Sequence, residues 1–338
     1  MPYLFTLARH FLTRQLRSIP VPETSYAGRT VIVTGGNGGL GLEAARHFAR
    51  LGAARLILAC RRTDAGEAAM ADIVRTTGVA EGVVEVWSLD LSSFESVKAF
   101  CKRAETELER LDVLLMNAAV MGGLQTKAAK MAEGYEMMVT VNVLATFLMV
   151  LGLLPVMRRT VAKENVEGVV TVVASEAHFM TRFVEQHQPR IFEAFRPGGA
   201  MQERYGTTKL LDVLAVQELA ERLDATNAGH SPIVVNTANP GMCRSSLFRD
   251  LPWFAQWLLA PVMYLIGRSI EEGSRTLMAA VAAGRESHGK YVDSGKIDEP
   301  SDFVLSEKGK AVQKRVWEEL MEILEGIEPG VTASISQH

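Results

Sequence analysis

The chain has 338 residues, 48% of them apolar and 22% charged, with a formal net charge of −3. That composition excludes a disordered polypeptide, and a mildly acidic, mixed-sign chain lacks the basic field that binding to a phosphate backbone requires, so nucleic acid is not an expected partner. Three cysteines, Cys60, Cys101 and Cys243, stand far apart without a C-x-x-C or a histidine cluster at metal-ligand spacing. They point to reduced thiols in a cytoplasmic protein and to no metal.

Residues 1–27 read as an N-terminal extension that ends near Pro20 and Pro22. Its stretch "YLFTLARHFLTRQLRSI" is apolar at Leu4, Leu7, Phe11 and Leu12 but carries Arg9, Arg14 and Arg17. The arginines make it too interrupted to span a bilayer, and they fall where the apolar core of a signal peptide is clean. A basic amphipathic helix of this kind either packs on the body of the protein or lies peripherally on an anionic membrane surface.

From Arg29 the pattern is regular. Aliphatic runs at 29–35, 55–60, 83–90, 112–117, 168–175 and 232–239 read as strands, and amphipathic helices such as "GLGLEAARHFARLG" and "KLLDVLAVQELAERL" lie between them. Strands that are apolar throughout, each followed by a helix, predict an α/β fold: a Rossmann-like, doubly wound parallel sheet in a single domain over 28–338. Beyond the sixth strand come a charge-free run at 251–267 broken by Pro252 and Pro261, a helix near 270–283, a short run at "KYV" and an amphipathic helix around 305–325. The charge-free run is too short to cross a bilayer.

"TVIVTGGNGGLGLEAARHF" places Gly35, Gly39 and Gly41, with Asn37 and Leu40 among them, after the first strand and at the start of the first helix. Glycines there allow a tight turn, a close approach of backbone to a pyrophosphate and contact between helix and strand. The helix N-terminus adds free N–H groups and a favourable dipole, so the loop is a candidate dinucleotide site. The second strand runs into Arg61 and Arg62, with no carboxylate before Asp64. Guanidiniums at that place suit the 2′-phosphate of NADP(H), where an acid would select NAD.

"ERYGTTKL" sets Tyr205 four residues before Lys209 on a predicted helix, so both side chains share one face. A free phenol ionises near pH 10, too high for acid–base work at neutrality; a nearby ammonium favours the phenolate and brings it into range. Ser175 ends the fifth strand, placed either to hydrogen-bond a substrate oxygen or to cap a loop. His178 and His187 follow it, but no G-x-S-x-G elbow surrounds any serine, which argues against a Ser–His hydrolase.

Over about residues 28–245 the chain resembles the short-chain dehydrogenase/reductase family. The T-G-x-x-x-G-x-G pattern is met by Thr34 through Gly41, an Asp–Leu pair by Asp90 and Leu91, and the N-N-A-G signature by Met116, Asn117, Ala118 and Ala119, with Met116 in place of the first Asn. The resemblance implies Asp90 and Leu91 against the adenine, Asn117 to Ala119 beside the cofactor, and a catalytic set of Asn142, Ser175, Tyr205 and Lys209. In that set Lys209 also holds the nicotinamide ribose, and Asn142 supports a water in a proton relay. Pro240 and Gly241 match the family's P-G turn, and Ser245 stands where a threonine usually holds the nicotinamide carboxamide.

Within the family, "SEAH" and the C-terminal segment look most like the retinol-dehydrogenase-like branch, particularly fungal enzymes similar to natural-product tailoring reductases. The stretch from Glu176 to Arg204 is longer than in ordinary members, and Phe179, Phe183, Phe192 and Phe195 are expected to build onto the substrate side. Residues of about 245–290 are expected to form a C-terminal substrate lid, with core packing or a subunit interface as the alternatives. The expected activity is interconversion of a carbonyl and an alcohol on a hydrophobic small molecule, in the reductive direction; oxidation of a retinoid- or steroid-like alcohol and a non-catalytic cofactor-binding scaffold are the rivals. By analogy with the family the chain is a candidate homodimer.

Overall fold

Side chains that alternate along each predicted strand find apolar partners on both faces of one sheet. The computed structural model describes residues 13–121, 131–195, 201–227, 229–244, 261 and 264–336. Among them the larger sheet has eight strands: β1 (Thr30–Thr34), β2 (Arg55–Cys60), β3 (Val84–Ser88), β4 (Val113–Met116), β5 (Gly168–Val173), β6 (Ile233–Asn239), β7 (Tyr291–Asp293) and β8 (Lys296–Asp298). Their order is β8-β7-β6-β5-β4-β1-β2-β3. All neighbouring pairs are parallel except β7 with β8.

The helices are α1 (Gly39–Arg50), α2 (Thr63–Thr77), α3 (Phe94–Glu107), α4 (Ala145–Glu164), α5 (Met201–Thr226), α6 (Ile270–Ala282) and α7 (Glu307–Ile327). Val31, Val33, Leu56 and Leu58 face α1, α2 and α6 through Phe48, Ile73 and Leu277. Ile32, Ile57, Leu114 and Val170 face the other side, against Phe100, Phe147, Leu214 and Trp317 of α3, α4, α5 and α7. The period of two along a strand thus feeds two cores, which is why the strands read as unbroken apolar runs. The chain winds outward from β1 toward β3, then returns to β4 and winds the other way. The carboxyl ends of β1 and β4 part there, at the switch point where a doubly wound sheet opens a crevice.

Met137–Glu164, which includes α4, is long and apolar enough to cross a membrane, but 89% of its most apolar window is buried inside the protein. It is a core helix. The run at "KYV" becomes β7, and Ser294 and Gly295, both at positive φ, turn it back into the edge strand β8.

One expectation changes. Phe183, Phe192 and Phe195 are buried in the core rather than lining a substrate face, and only Phe179 stays partly exposed. In the N-terminal extension, Arg14, Gln15 and Ile19 are buried against the body; residues 1–12 lie outside the described residues. Most of the run at 251–267 lies outside them as well.

Replacing Phe147, fully buried in α4, by alanine leaves a cavity beneath β4 and β5. Phe147→Ala is expected to lower the unfolding free energy by about 3–5 kcal/mol, read by urea titration, with the far-UV circular dichroism of the folded protein unchanged.

Candidate active site

Every strand from β1 to β6 ends on the same edge, so the loops that follow them converge. A cleft of about 320 Å³ opens there, lined by Gly35, Asn37 and Gly38 after β1, Arg61 after β2, Asp90 and Leu91 after β3, and Asn117, Ala118 and Ala119 after β4. Thr34 holds its two walls together. Its hydroxyl accepts the N–H groups of Asn117 (2.9 Å) and Ala118 (3.0 Å), and the Asn117 side-chain amide donates to the Thr34 carbonyl (2.9 Å). Met116, the departure from N-N-A-G, packs into the core instead.

The fit of this cleft to a dinucleotide can be judged from the glycines. A Cβ on Gly41 would lie 2.5 Å from both the Gly35 carbonyl oxygen and Asn117 Nδ2, so helix α1 approaches the turn as only glycine allows. Gly35 and Gly39 have positive φ, and nothing lies within 4 Å of the places where side chains at Gly38 and Gly39 would project. The N-terminus of α1 has no side-chain cap and no acid in its first turn. Free N–H groups, open space and absent negative charge are what a pyrophosphate needs. The Leu40 side chain packs toward α6, beside Gly273. Arg61 and Arg62 are exposed and form no ion pair among the described residues. Asp90 Oδ1 accepts from the Ser92 N–H (2.9 Å) and hydroxyl (2.6 Å), which fixes its loop.

Helix α5 brings the expected catalytic residues to the neighbouring edge. Lys209 is 3% exposed, and its Nζ donates to the Val173 carbonyl at 2.7 Å and to Asp212 Oδ2 at 3.0 Å and stands 5.9 Å from the Tyr205 ring centre. Burial works against the Lys209 charge, but the Asp212 carboxylate and Tyr205 outweigh it and hold the ammonium above its ordinary pKa. Burial pushes Asp212 up to about 6, with Lys209 opposing the shift. Asn142 sits in a π-turn, Thr140–Leu144, just before α4. Its side chain accepts from the Val120 N–H (2.8 Å) and donates to the Val120 carbonyl and to the Thr208 hydroxyl (both 3.0 Å). Asn142 therefore ties the end of the β4 loop to the residue before Lys209.

Ser175 lies two residues beyond β5, and its hydroxyl accepts the Ala177 N–H at 3.2 Å. Gly206 lets α5 reach this turn: a Cβ there would be 2.6 Å from the Ala177 carbonyl oxygen. His178 bonds the Ser175 carbonyl, not its hydroxyl, through Nδ1 at 2.7 Å, and Nε2 accepts the Ser301 N–H at 3.1 Å. That geometry disposes of a Ser–His nucleophile. Pro240 is buried and Gly241 partly so in the turn after β6; Ser245 lies outside the described residues. Reading motifs alone misses Asp212, Gly206 and His178, although an acid three residues after Lys209 is a visible signal for the first.

A family model described as short chain dehydrogenase matches residues 29–187. The chain is 40% identical over 331 residues to the short chain dehydrogenase/reductase dmxR8 of Cryptosporiopsis, covering 96% of this chain and 99% of that protein. It is 40% identical over 325 residues to the short-chain dehydrogenase anuD of Penicillium roqueforti, covering 94% and 83%. Among solved structures, the Pseudomonas aeruginosa RhlG/NADP active-site complex is similar at 25% identity and a TM-score of 0.60, over 81% of this chain and 98% of that one.

Burial holds the His178 pKa down at about 4, so its imidazole is neutral in the fold. Below its ordinary value of about 6.5 the unfolded chain binds a proton that the folded chain refuses, so this group costs stability as the pH falls from about 6.5 toward about 4. His178→Asn, which keeps a donor for the Ser175 carbonyl, is expected to flatten the fall in Tm between about pH 6.5 and pH 4.5 relative to the wild type. Thermal melts across that range check it; an unchanged slope would show that His178 does not titrate as described.

Proposed function

The chain belongs to the short-chain dehydrogenase/reductase family of NAD(P)-using oxidoreductases, and from that premise we propose that it is an NADP(H)-dependent ketoreductase acting on a hydrophobic small molecule. The observation that carries the reading is the joining of two half-sites at one sheet edge. Thr34 and Asn117 frame a glycine-lined cleft, and Asn142 and Lys209 bind the adjacent helix carrying Tyr205 to β4 and β5.

The glycine loop, Gly35 to Gly41, would hold the pyrophosphate on the first N–H groups of α1. Arg61, which lines the cleft, and its neighbour Arg62, both exposed and in no ion pair among the described residues, would take the adenosine 2′-phosphate. The NADP complex of the structurally similar Pseudomonas aeruginosa protein supports that choice. When bound, NADPH supplies the hydride. Tyr205 would donate a proton to the carbonyl oxygen as negative charge grows there, and the Ser175 hydroxyl would hydrogen-bond the same oxygen. Lys209 stabilises the resulting phenolate by its charge. Its ammonium can do so because Asp212 and the Val173 carbonyl keep it protonated and fixed in a dry site.

Support for an apolar substrate comes from Met180, Tyr264 and Leu265, large side chains left exposed beyond β5 and β6. A tailoring role on a secondary metabolite such as a polyketide is part of the same proposal, and both fungal relatives are themselves short-chain dehydrogenases.

Fluorescence titration with NADPH and NADH, followed by hydrophobic ketones and aldehydes in the same cuvette, tests the proposal. NADPH is expected to bind more tightly than NADH, and Arg61→Ala with Arg62→Ala to weaken NADPH by about tenfold while leaving NADH unchanged. Tyr205→Phe is expected to keep NADPH binding and lose turnover by about 10²–10⁴. NADPH bound but oxidised by no carbonyl would favour a cofactor-binding scaffold; no binding of either nucleotide would remove the cofactor reading altogether.

A further inference from the structure

Residues 13–19 form a short helical turn and an extended run that passes against the loop leaving β6. Gln15, although polar, is only 3% exposed there. Its side-chain amide donates to the carbonyls of Met242 (2.8 Å) and Ile266 (2.7 Å), and its Oε1 accepts the Met242 N–H (2.9 Å). Met242 and Ile266 belong to two described ends of the chain that meet here. Those ends are also laced by backbone bonds, Arg268 N–H to the Met242 carbonyl (2.9 Å) and Arg244 N–H to the Arg268 carbonyl (3.0 Å). The amide of Gln15 thus acts as one more rung, supplied from the other end of the sequence.

The Pro240–Gly241 turn leans on the same group. The Arg268 guanidinium donates to the carbonyls of Pro240 (2.9 Å) and Arg14 (2.7 Å) and to the Ser294 hydroxyl (3.1 Å). A Cβ on Gly241 would be 2.6 Å from Arg268 Nη1 and 2.7 Å from Gln15 Oε1, so turn and extension are in direct contact. Arg14 pairs with Asp298 (2.9 Å) and lies 5.3 Å from the centre of the Phe179 ring, four residues past Ser175. One short segment therefore touches the turn after β6, the chain after Ser175 and the β7–β8 edge. A neutral amide suits this place, since it satisfies two carbonyls and one N–H without burying a charge.

We infer that Gln15 is a positioning residue: through it the N-terminal segment fixes the Pro240–Met242 turn and its pairing with Ile266–Arg268, and so sets the nicotinamide side of the site. The inference deepens the NADP(H) reading and rests on it for its functional half. Gln15→Met keeps the length of the side chain and removes every polar atom. Leu16→Ser is the control, because Leu16 is 67% exposed on the same segment.

Hydrogen exchange on the full chain without nucleotide should show the amides of Met242, Arg244 and Arg268 exchanging at least about tenfold faster in Gln15→Met, with those of β1 to β5 and of the Leu16→Ser protein unchanged. NADPH titration should show about tenfold weaker binding in Gln15→Met, with kcat at saturating nucleotide and substrate within about twofold of wild type. A side chain that merely stabilised the whole fold would lower Tm and leave both patterns flat. Unaltered exchange at those three amides would overturn the anchoring; faster exchange with unaltered NADPH affinity would overturn the positioning role. Gln15→Glu, which keeps the acceptor for the Met242 N–H but faces two carbonyls with a carboxylate, carries the same test if the methionine variant does not fold. Wild-type protein that takes no NADPH would sink the cofactor reading, and the exchange measurement would then decide the anchoring by itself.

Discussion

Parallel strands buried on both faces leave little room for a polar side chain along their length, because each residue points into a packed layer; where one occurs it must be paired, as Thr171 and Asn236 are with each other and Asn236 with Ala280 and Ser287. Polar groups that meet a ligand are therefore left to the strand ends. On the carboxyl edge the loops leave the sheet and the helix dipoles present their positive ends, and there this chain collects the glycine loop, Asp90, Asn117, Ser175 and the Pro240–Gly241 turn. The winding order adds the second half of the constraint. Since β1 and β4 are neighbours whose following loops go opposite ways, a cleft must open between them, and the Thr34 hydroxyl, bonded to the backbone of Asn117 and Ala118, stops it opening further.

An ammonium inside that edge requires compensation. Lys209 obtains it from a main-chain carbonyl of β5 and from Asp212 one turn further along its own helix. These bonds determine where α5 sits, and with it Tyr205, relative to the strand that delivers Ser175. Gly206 removes the last obstacle, letting the helix backbone close on the Ala177 carbonyl. The π-turn around Asn142 does similar work from the other side, since its one-residue bulge frees a side chain to grip the Val120 backbone and Thr208 together. The geometry of the candidate site is therefore held by close backbone contacts and buried hydrogen bonds.

Beyond β6 the sheet continues, among the described residues, through two short strands, and Arg14 and Arg17 reach them with side-chain bonds to Asp298 and to the Asp293 carbonyl. Arg14 and Arg268, two buried guanidiniums in one small region, are supported by main-chain carbonyls, and Arg14 also by the carboxylates of Asp293 and Asp298.

The apolar runs made six strands and their parallel arrangement legible, because a strand buried on both faces is predominantly apolar. Glycines at 35, 39 and 41 were legible for a related reason: positive φ and sub-van-der-Waals approach exclude other residue types, so the constraint is written in residue identity. Tyr205 and Lys209 were legible because helical spacing alone puts them on one face. What lay beyond the sequence were contacts between residues far apart in it, such as Gln15 with Met242, His178 with Ser301 and the burial of Phe183, Phe192 and Phe195. A glutamine at an extension's end looks the same whether it faces water or clamps a loop, and an aromatic in a long insertion looks the same in a substrate wall or a core. Only the packing of one segment on another sets which groups lose water, and that loss decides what each of them does.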